Sequence, residues 1–193
     1  MEKDKIILGS GKLYCTEFTG ELPADSDIET DDKRLGYIKG GATITYSPSF
    51  YEAKDDLGVV TKKIITEESA SFKSGIMTLN AKRLSVLCNT GRVSEKDNIR
   101  MLKIGGVGNF DGKKYLIHFV HEDQADGDIR IDIVGTNEAG FTLSFQKDTE
   151  TVVDAEFKCQ SMDKEGTLIL YREQITKTSQ EGGTVTEKGG SAV

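Results

Sequence analysis

Alternation of apolar and polar positions is strongest between Thr43 and Lys73. In the arm TITYSPSFYEAK, Ile44, Tyr46, Pro48 and Phe50 fall on one side and Thr43, Thr45, Ser47 and Ser49 on the other, because strand side chains alternate with a period of two. The arm TKKIITEESASFK follows, and Asp56-Leu57-Gly58 between them suits a three-residue hairpin loop, with glycine supplying the positive φ that closes it. Setting Asp55 against Val59 predicts Glu52 opposite Lys62, Phe50 opposite Ile64 and Ile44 opposite Ala70, each a sensible cross-strand pair. A dozen or so residues per arm makes a hairpin roughly 40 Å long at about 3.3 Å per residue, more than the chain's own core requires. The prediction is a protruding arm that reaches another subunit. Its apolar positions, Ile44, Tyr46, Phe50, Ile64 and Phe72, need burial that a lone two-stranded arm cannot give. Pro48 has no N–H for the ladder and marks a bulge or an edge position.

Around this hairpin the pattern predicts a mainly β body. Lys12 to Phe18 reads as a first strand, Thr19 to Lys33 as an acidic surface loop, and Arg34 to Lys39 as a short strand. Thr78 to Thr90 has helical spacing, with Ala81, Leu84, Leu87 and Cys88 on one face, Thr78 or Asn80 as cap and Gly91 as stop. Strands are then expected at Ile99 to Ile104, Lys114 to Val120, Ile129 to Val134, Phe141 to Phe145, Val152 to Cys159 and Thr167 to Tyr171, separated by Gly, Asp or Asn clusters. Ile129, Ile131 and Ile133 alternate with Arg130 and Asp132, which implies one buried face. The expected architecture is a β-sandwich or barrel over residues 1–173 with one packed helix and the protruding hairpin. Residues 174–193 are polar and glycine-rich and read as a flexible tail.

Composition narrows the function. A chain of 193 residues is long enough for a substantial core, and its hydrophobic share of 36% includes no run near the ~18 residues of a membrane-spanning helix. No membrane insertion is expected. The three-residue apolar stretch near the amino terminus is too short for a secretory signal. Cys15, Cys88 and Cys159 are odd in number and widely spaced, so neither a disulfide framework nor a CxxC site is implied. The net charge of -7 argues against tight phosphate binding.

Candidate chemistry is thin. GSGK at Gly9 to Lys12 lacks the upstream glycine and the Ser or Thr of a phosphate loop, and GGVG at Gly105 to Gly108 lacks dinucleotide-site spacing. Asp25, Asp27, Glu29 and Asp31 alternate, but without the glycine and terminal acid of a calcium loop they read as solvated. His118 and His121 lie three apart in a strand and so point to opposite sides, which reads as structural or surface histidine. No G-x-S-x-G elbow occurs, and no base is placed beside a cysteine. The expectation is a protein that is not an enzyme and holds no cofactor or metal.

What remains is the neutral hydroxyl face of the hairpin, Thr43, Thr45, Ser47, Ser49, Ser69 and Ser71, with Glu67 at its edge. The segment GGATITYSPSFYEAKDDLGVVTKKIITEESASFKSGIMTLNA, the helix after it and the closing VVDAEFKCQSMDKEGTLILYRE together resemble the major tail tube proteins of long-tailed bacteriophages, a group that includes type VI secretion tube proteins. The resemblance covers roughly residues 10–173 and is one of layout. It implies six-fold rings whose hairpins join into a barrel lining a channel, rings that stack into a tube, and passage of double-stranded DNA without adhesion. In that frame Thr43, Thr45, Ser47, Ser49, Glu67, Ser69 and Ser71 face the lumen, and Ile44, Tyr46, Phe50, Ile64 and Phe72 pack subunits together. Asp25, Asp27 and Asp31 of the acidic loop, with Asp55 and Asp56 at the hairpin tip, mediate ring stacking. Further partners implied are the tail terminator, tape measure and distal tail proteins. The implied location is the virion tail, after assembly in the host cytoplasm. A secretion tube or a non-catalytic carbohydrate- or peptide-binding sandwich are the alternatives; the absence of tryptophan and the 7% aromatic content weigh against the binding module.

Overall fold

Runs rich in Ile, Val, Phe and Tyr between Gly, Asp and Asn clusters become strands, as their composition favours. In the computed structural model, which describes residues 7–58 and 61–175, the elements are β1 (Lys12–Glu17), α1 (Asp25–Ile28), β2 (Arg34–Gly36), β3 (Ile38–Lys54), β4 (Thr61–Ile76), α2 (Ala81–Val86), β5 (Arg92–Lys96), β6 (Ile99–Lys103), a 3-10 turn (Val107–Asn109), β7 (Tyr115–His121), β8 (Ile129–Asn137), β9 (Val153–Gln160) and β10 (Ile169–Glu173). Eight strands form one antiparallel sheet in the order β2-β1-β7-β8-β9-β4-β3, with β10 also on β8, and β5 and β6 form a separate hairpin.

The two ends of that sheet are consecutive in sequence, with only Tyr37 between β2 and β3. The Tyr37 amide donates to Thr78 Oγ1 at 2.7 Å, and its carbonyl accepts from Met77 N at 2.9 Å. The sheet therefore curls until its terminal strands meet at the base of the hairpin. Gly36 is needed at this meeting, because a Cβ there would lie 2.5 Å from Ile76 Cγ2. One side of the curl is filled by Leu13, Leu35, Phe72, Ile76, Leu87, Ile117, Ile133, Val153, Ala155 and Phe157, drawn from most of the sheet. Opposite, Tyr14, Leu116, Val120 and Val134 are covered by Ile28 of α1 and by Met162.

Several expectations change. Among the described residues there are two short α-helices rather than one, since α1 lies within the expected acidic loop and buries Ile28. The second helix spans only Ala81–Val86. Asn80 caps it by accepting from Arg83 N at 3.0 Å, while Thr78 is committed to Tyr37. Its end is held by Asn137 Nδ2, which donates to the Leu87 carbonyl at 3.1 Å. Phe141–Phe145 alternates but pairs with no strand among the described residues, leaving Phe145 83% exposed. β6 fulfils the strand expected at Ile99 to Ile104, but its partner β5 is not among the expected strands; their two-residue turn uses Asp97 and Asn98 at φ 52° and 62°. The expected polar tail lies, from residue 176 onward, outside the described residues.

Candidate functional site

The hairpin is longer than alternation alone suggested, with 17 residues in β3 and 16 in β4. Only its base belongs to the body: β9 pairs with β4 from Ser71 to Ile76 and no further. Beyond that point every residue from Thr61 to Ser69 is exposed, as is the opposing run from Phe50 to Gly58. At the tip the Gly58 amide donates to the Asp55 carbonyl at 3.0 Å and Gly58 has the predicted positive φ, 68°; Val59, the predicted partner of Asp55, lies outside the described residues, and the pair nearest the tip is Lys54 with Thr61.

The register differs from that drawn outward from the turn. Ile44 faces Phe72 rather than Ala70, Phe50 faces Ile65 rather than Ile64, and Glu52 faces Lys63 rather than Lys62. The pairing shifts between Ser49 and Phe50, where Thr66 is the extra residue on β4. Between the tip and this bulge the pairing already runs one residue off the predicted register, so Ile64 sits opposite Tyr51. It lies on the same side as Ser49, so it leaves the predicted apolar set and Ile65 takes its place beside Phe50. Pro48 lies on β3, the outermost strand of the sheet and one pair from this bulge.

Of the predicted packing residues, Phe72 is buried and Ile44 packs on the core, whereas Tyr46, Phe50 and Ile64 are about half exposed, as are Tyr51 and Ile65. Local contacts join side chains along the arm. Tyr46 Oη donates to Glu68, which raises the phenol pKa, and the Lys63 ammonium sits 4.5 Å from the Phe50 ring centre.

On the other face Thr43, Thr45, Ser47, Ser49, Glu67 and Ser69 are exposed and Ser71 is partly so. Ser69 Oγ donates to the Ser47 carbonyl at 3.2 Å, which satisfies hydroxyls within the arm. Where this face joins the body, Thr45, Ser47, Ser69 and Ser71 line a shallow groove of about 340 Å³ with Glu156 and Lys158. Its charges are balanced locally, Lys73 with Glu156 at 2.9 Å and Lys158 with Glu138 at 3.6 Å.

The predicted stacking acids separate into different environments. Asp27 and Asp31 are exposed, and Asp55 and Asp56 occupy the exposed hairpin turn. Asp25 is not a solvated loop residue: Arg172 donates to both its oxygens, at 3.0 and 2.7 Å, and this holds its carboxyl below the usual range. Next to it Arg130 Nε donates to Glu29 at 2.7 Å, and Arg172 Nη2 also reaches Asp132 at 2.8 Å. Burial alone pushes the Glu29 pKa up, but hydrogen bonds from Arg130 and His118 outweigh it and bring it below the usual value. His118, with no exposed surface, sits between Asp132 at 2.5 Å and Glu29 at 3.2 Å. Ligand-type atoms of Asp25, Glu29 and His118 fall within 4.8 Å of one another, but guanidinium groups hold both carboxylates and supply the positive charge from within the chain. His121 turns the other way, to the Ser10 carbonyl at 2.7 Å.

This ionic cluster was missed in the sequence because Arg130 and Asp132 read as a solvent-facing alternation. Its signal was a strand, β8, in which the polar positions sit beside a histidine at a paired position of β7. All three thiols are pushed up by burial, Cys159 to about 11, and none is paired with a base. No protein-family model matches the chain, and no curated protein is detectably similar to it in sequence.

Proposed function

We propose that this chain is a non-enzymatic, self-assembling tube subunit of the kind found in long-tailed phages, working as stacked six-fold rings around a channel for DNA. The observation that carries the reading is the distal half of the hairpin, where Tyr46, Phe50, Tyr51, Ile64 and Ile65 remain about half exposed on an arm whose edges pair with no further strand among the described residues. A solitary edge strand of that length and composition invites pairing with another chain unless a defined assembly covers it. In this reading the curled sheet is the wall of the subunit, and the arms of neighbouring subunits combine into the inner barrel. Ile44, Tyr46, Phe50, Ile65 and Phe72 form the packing side. Thr43, Thr45, Ser47, Ser49, Glu67, Ser69 and Ser71 form the lumen side, which Tyr51 and Ile64 continue toward the tip; its cations are Lys73, paired with Glu156, and Lys62 opposite Ala53, so along most of its length phosphates meet hydroxyls and a carboxylate.

The exposed acids Asp27, Asp31, Asp55 and Asp56 lie at the places assigned to ring stacking. The tail terminator, tape measure and distal tail proteins are the partners for the tube ends and channel in the virion. Negative-stain microscopy of concentrated protein, with light-scattering mass measured beforehand, tests the reading. Rings or tubes of uniform bore are expected. A protein that stays strictly monomeric at high concentration, with its arms unpaired, overturns it.

A further inference from the structure

The carboxylates around His118 outnumber the fixed cations. Asp25 and Glu29 approach from the α1 segment and Asp132 from β8, and against these three stand Arg130 and Arg172. From β1 the side chain facing His118 is Tyr14, its ring 6.0 Å away at the centroid, with the Arg34 guanidinium of β2 on the far end at 5.9 Å. His118 is the remaining group able to carry positive charge in this enclosure. Its Nδ1 meets Asp132 and its Nε2 meets Glu29. Ionised carboxylates only accept hydrogen bonds, so both contacts are made together when the imidazole carries a proton on each nitrogen. With one proton gone, a nitrogen lone pair faces a carboxylate oxygen at the same spot, and the enclosure holds three negative groups against two positive.

The two carboxylates that His118 bridges belong to different parts of the molecule. Asp132 is fixed in the middle of β8, whereas Glu29 ends α1, whose attachment to the sheet consists of Ile28, these ionic contacts and a few backbone bonds. We propose that His118 is a proton-operated clasp: as the imidazolium it draws the α1 segment onto the sheet through Glu29, and when it gives one proton to solvent it loosens that segment. No covalent bond between heavy atoms changes, and Arg130 and Arg172 keep the loosened segment tethered. Because Asp27 and Asp31 ride on the same segment, the proton would also govern the surface that they present. The clasp is independent of the tube reading, since it operates within one subunit.

Hydrogen exchange read by mass spectrometry tests it, on protein kept dilute enough to be monomeric by sizing. The amides of Asp27, Ile28, Glu29, Lys33 and Arg34 are hydrogen-bonded within the segment, and the β7–β8 ladder is the internal reference. Labelling times are scaled for the hydroxide dependence of chemical exchange, and pH is raised from about 5, where an ordinary imidazole is charged, until the reference itself opens. The segment's protection relative to β7–β8 is expected to fall by about tenfold per pH unit through one transition, as release of one proton requires. His118→Gln should remove that transition. Should this variant fail to fold, Glu29→Gln serves instead, because an amide can donate to the neutral ring and accept from the charged one. Relative protection that is flat with pH in the natural protein, or a transition that survives in a folded variant, overturns the proposal. Neither result bears on whether rings form.

Discussion

Arg172, on the last strand, donates to the two oxygens of Asp25 at 3.0 and 2.7 Å and so joins positions 147 residues apart. The same guanidinium reaches Asp132, whose side chain is only 3% exposed. Arg172→Met retains the apolar stem but leaves Asp132 with His118 alone. Loss of a charged partner to a buried carboxylate should lower stability by about 1.5–3 kcal/mol, read as a shift in the urea midpoint at neutral pH. Arg172→Lys should restore only part of this, because an ammonium cannot reproduce the planar fork that serves two acids. A midpoint unmoved in the methionine variant would mean that the contacts contribute no more than an ordinary surface pair.

Acid should weaken the same joint. The carboxyls of Asp25, held down first by its hydrogen bond from Arg172, and of Glu29, where Arg130 and His118 overcome burial, lie below their ordinary values. A depressed carboxyl stabilises the fold above its unfolded-state value, about 3.9 for Asp and 4.3 for Glu. That contribution is lost as pH falls through the lower folded-state value. Urea midpoints in a pH series should therefore fall on acidification below about pH 4, and Arg172→Met should show a shallower fall. A variant that loses stability as steeply as the natural protein would place the acid sensitivity elsewhere.

The body of the fold is readable from strict alternation, and the hairpin from its turn as well. Asp56-Leu57-Gly58 marks the tip because only a residue tolerant of φ 68° closes it there, and Asn80 marks a helix start because its side chain accepts from Arg83 N. Alternation misleads where a second layer covers the polar side. Arg130 and Asp132 look solvent-facing until α1 arrives from 101 residues away and β10 from 40, a relation that local pattern cannot encode. Phe141–Phe145 fails in the converse way, with the right period but no neighbouring strand. Thr66 was missed because a single bulged residue leaves each arm's own alternation intact on either side while moving one arm against the other.

That displacement can be measured directly. Ser47 lies opposite Ser69, whereas counting outward from the turn puts Glu67 there; Thr66 accounts for one residue of this difference, and the other is already present near the tip, where Lys54 pairs with Thr61. The pair Ser47→Cys and Ser69→Cys should form a disulfide under mild oxidation, its Cβ atoms being close to the distance such a bond requires. Ser47→Cys with Glu67→Cys should remain reduced. Mass spectrometry of peptides after thiol blocking separates the two. Preferential crosslinking of the second pair would restore the simpler register and return Ile64 to the face of Phe50.

Phe72 and Phe50 lie on the same strand pair but should report different functions. Phe72 is 1% exposed in the core, where it faces both Ile44 and Phe157, so Phe72→Ala should cost the subunit about 3–5 kcal/mol. Phe50 is 50% exposed and Ile65 opposite it 53%, beyond the point where β9 ends. Replacing both with serine should move the subunit's urea midpoint by only about 1 kcal/mol equivalent, because about half of each side chain is already exposed and what is lost within the subunit is a cross-strand pair. In the tube reading the same change removes apolar surface that neighbouring arms cover, so rings should be lost while the monomer stays folded. Sedimentation velocity on the natural protein and on both variants separates these effects. Rings that persist with serine at both positions would locate the assembly contacts away from the distal arm and leave its exposed apolar residues to some other partner.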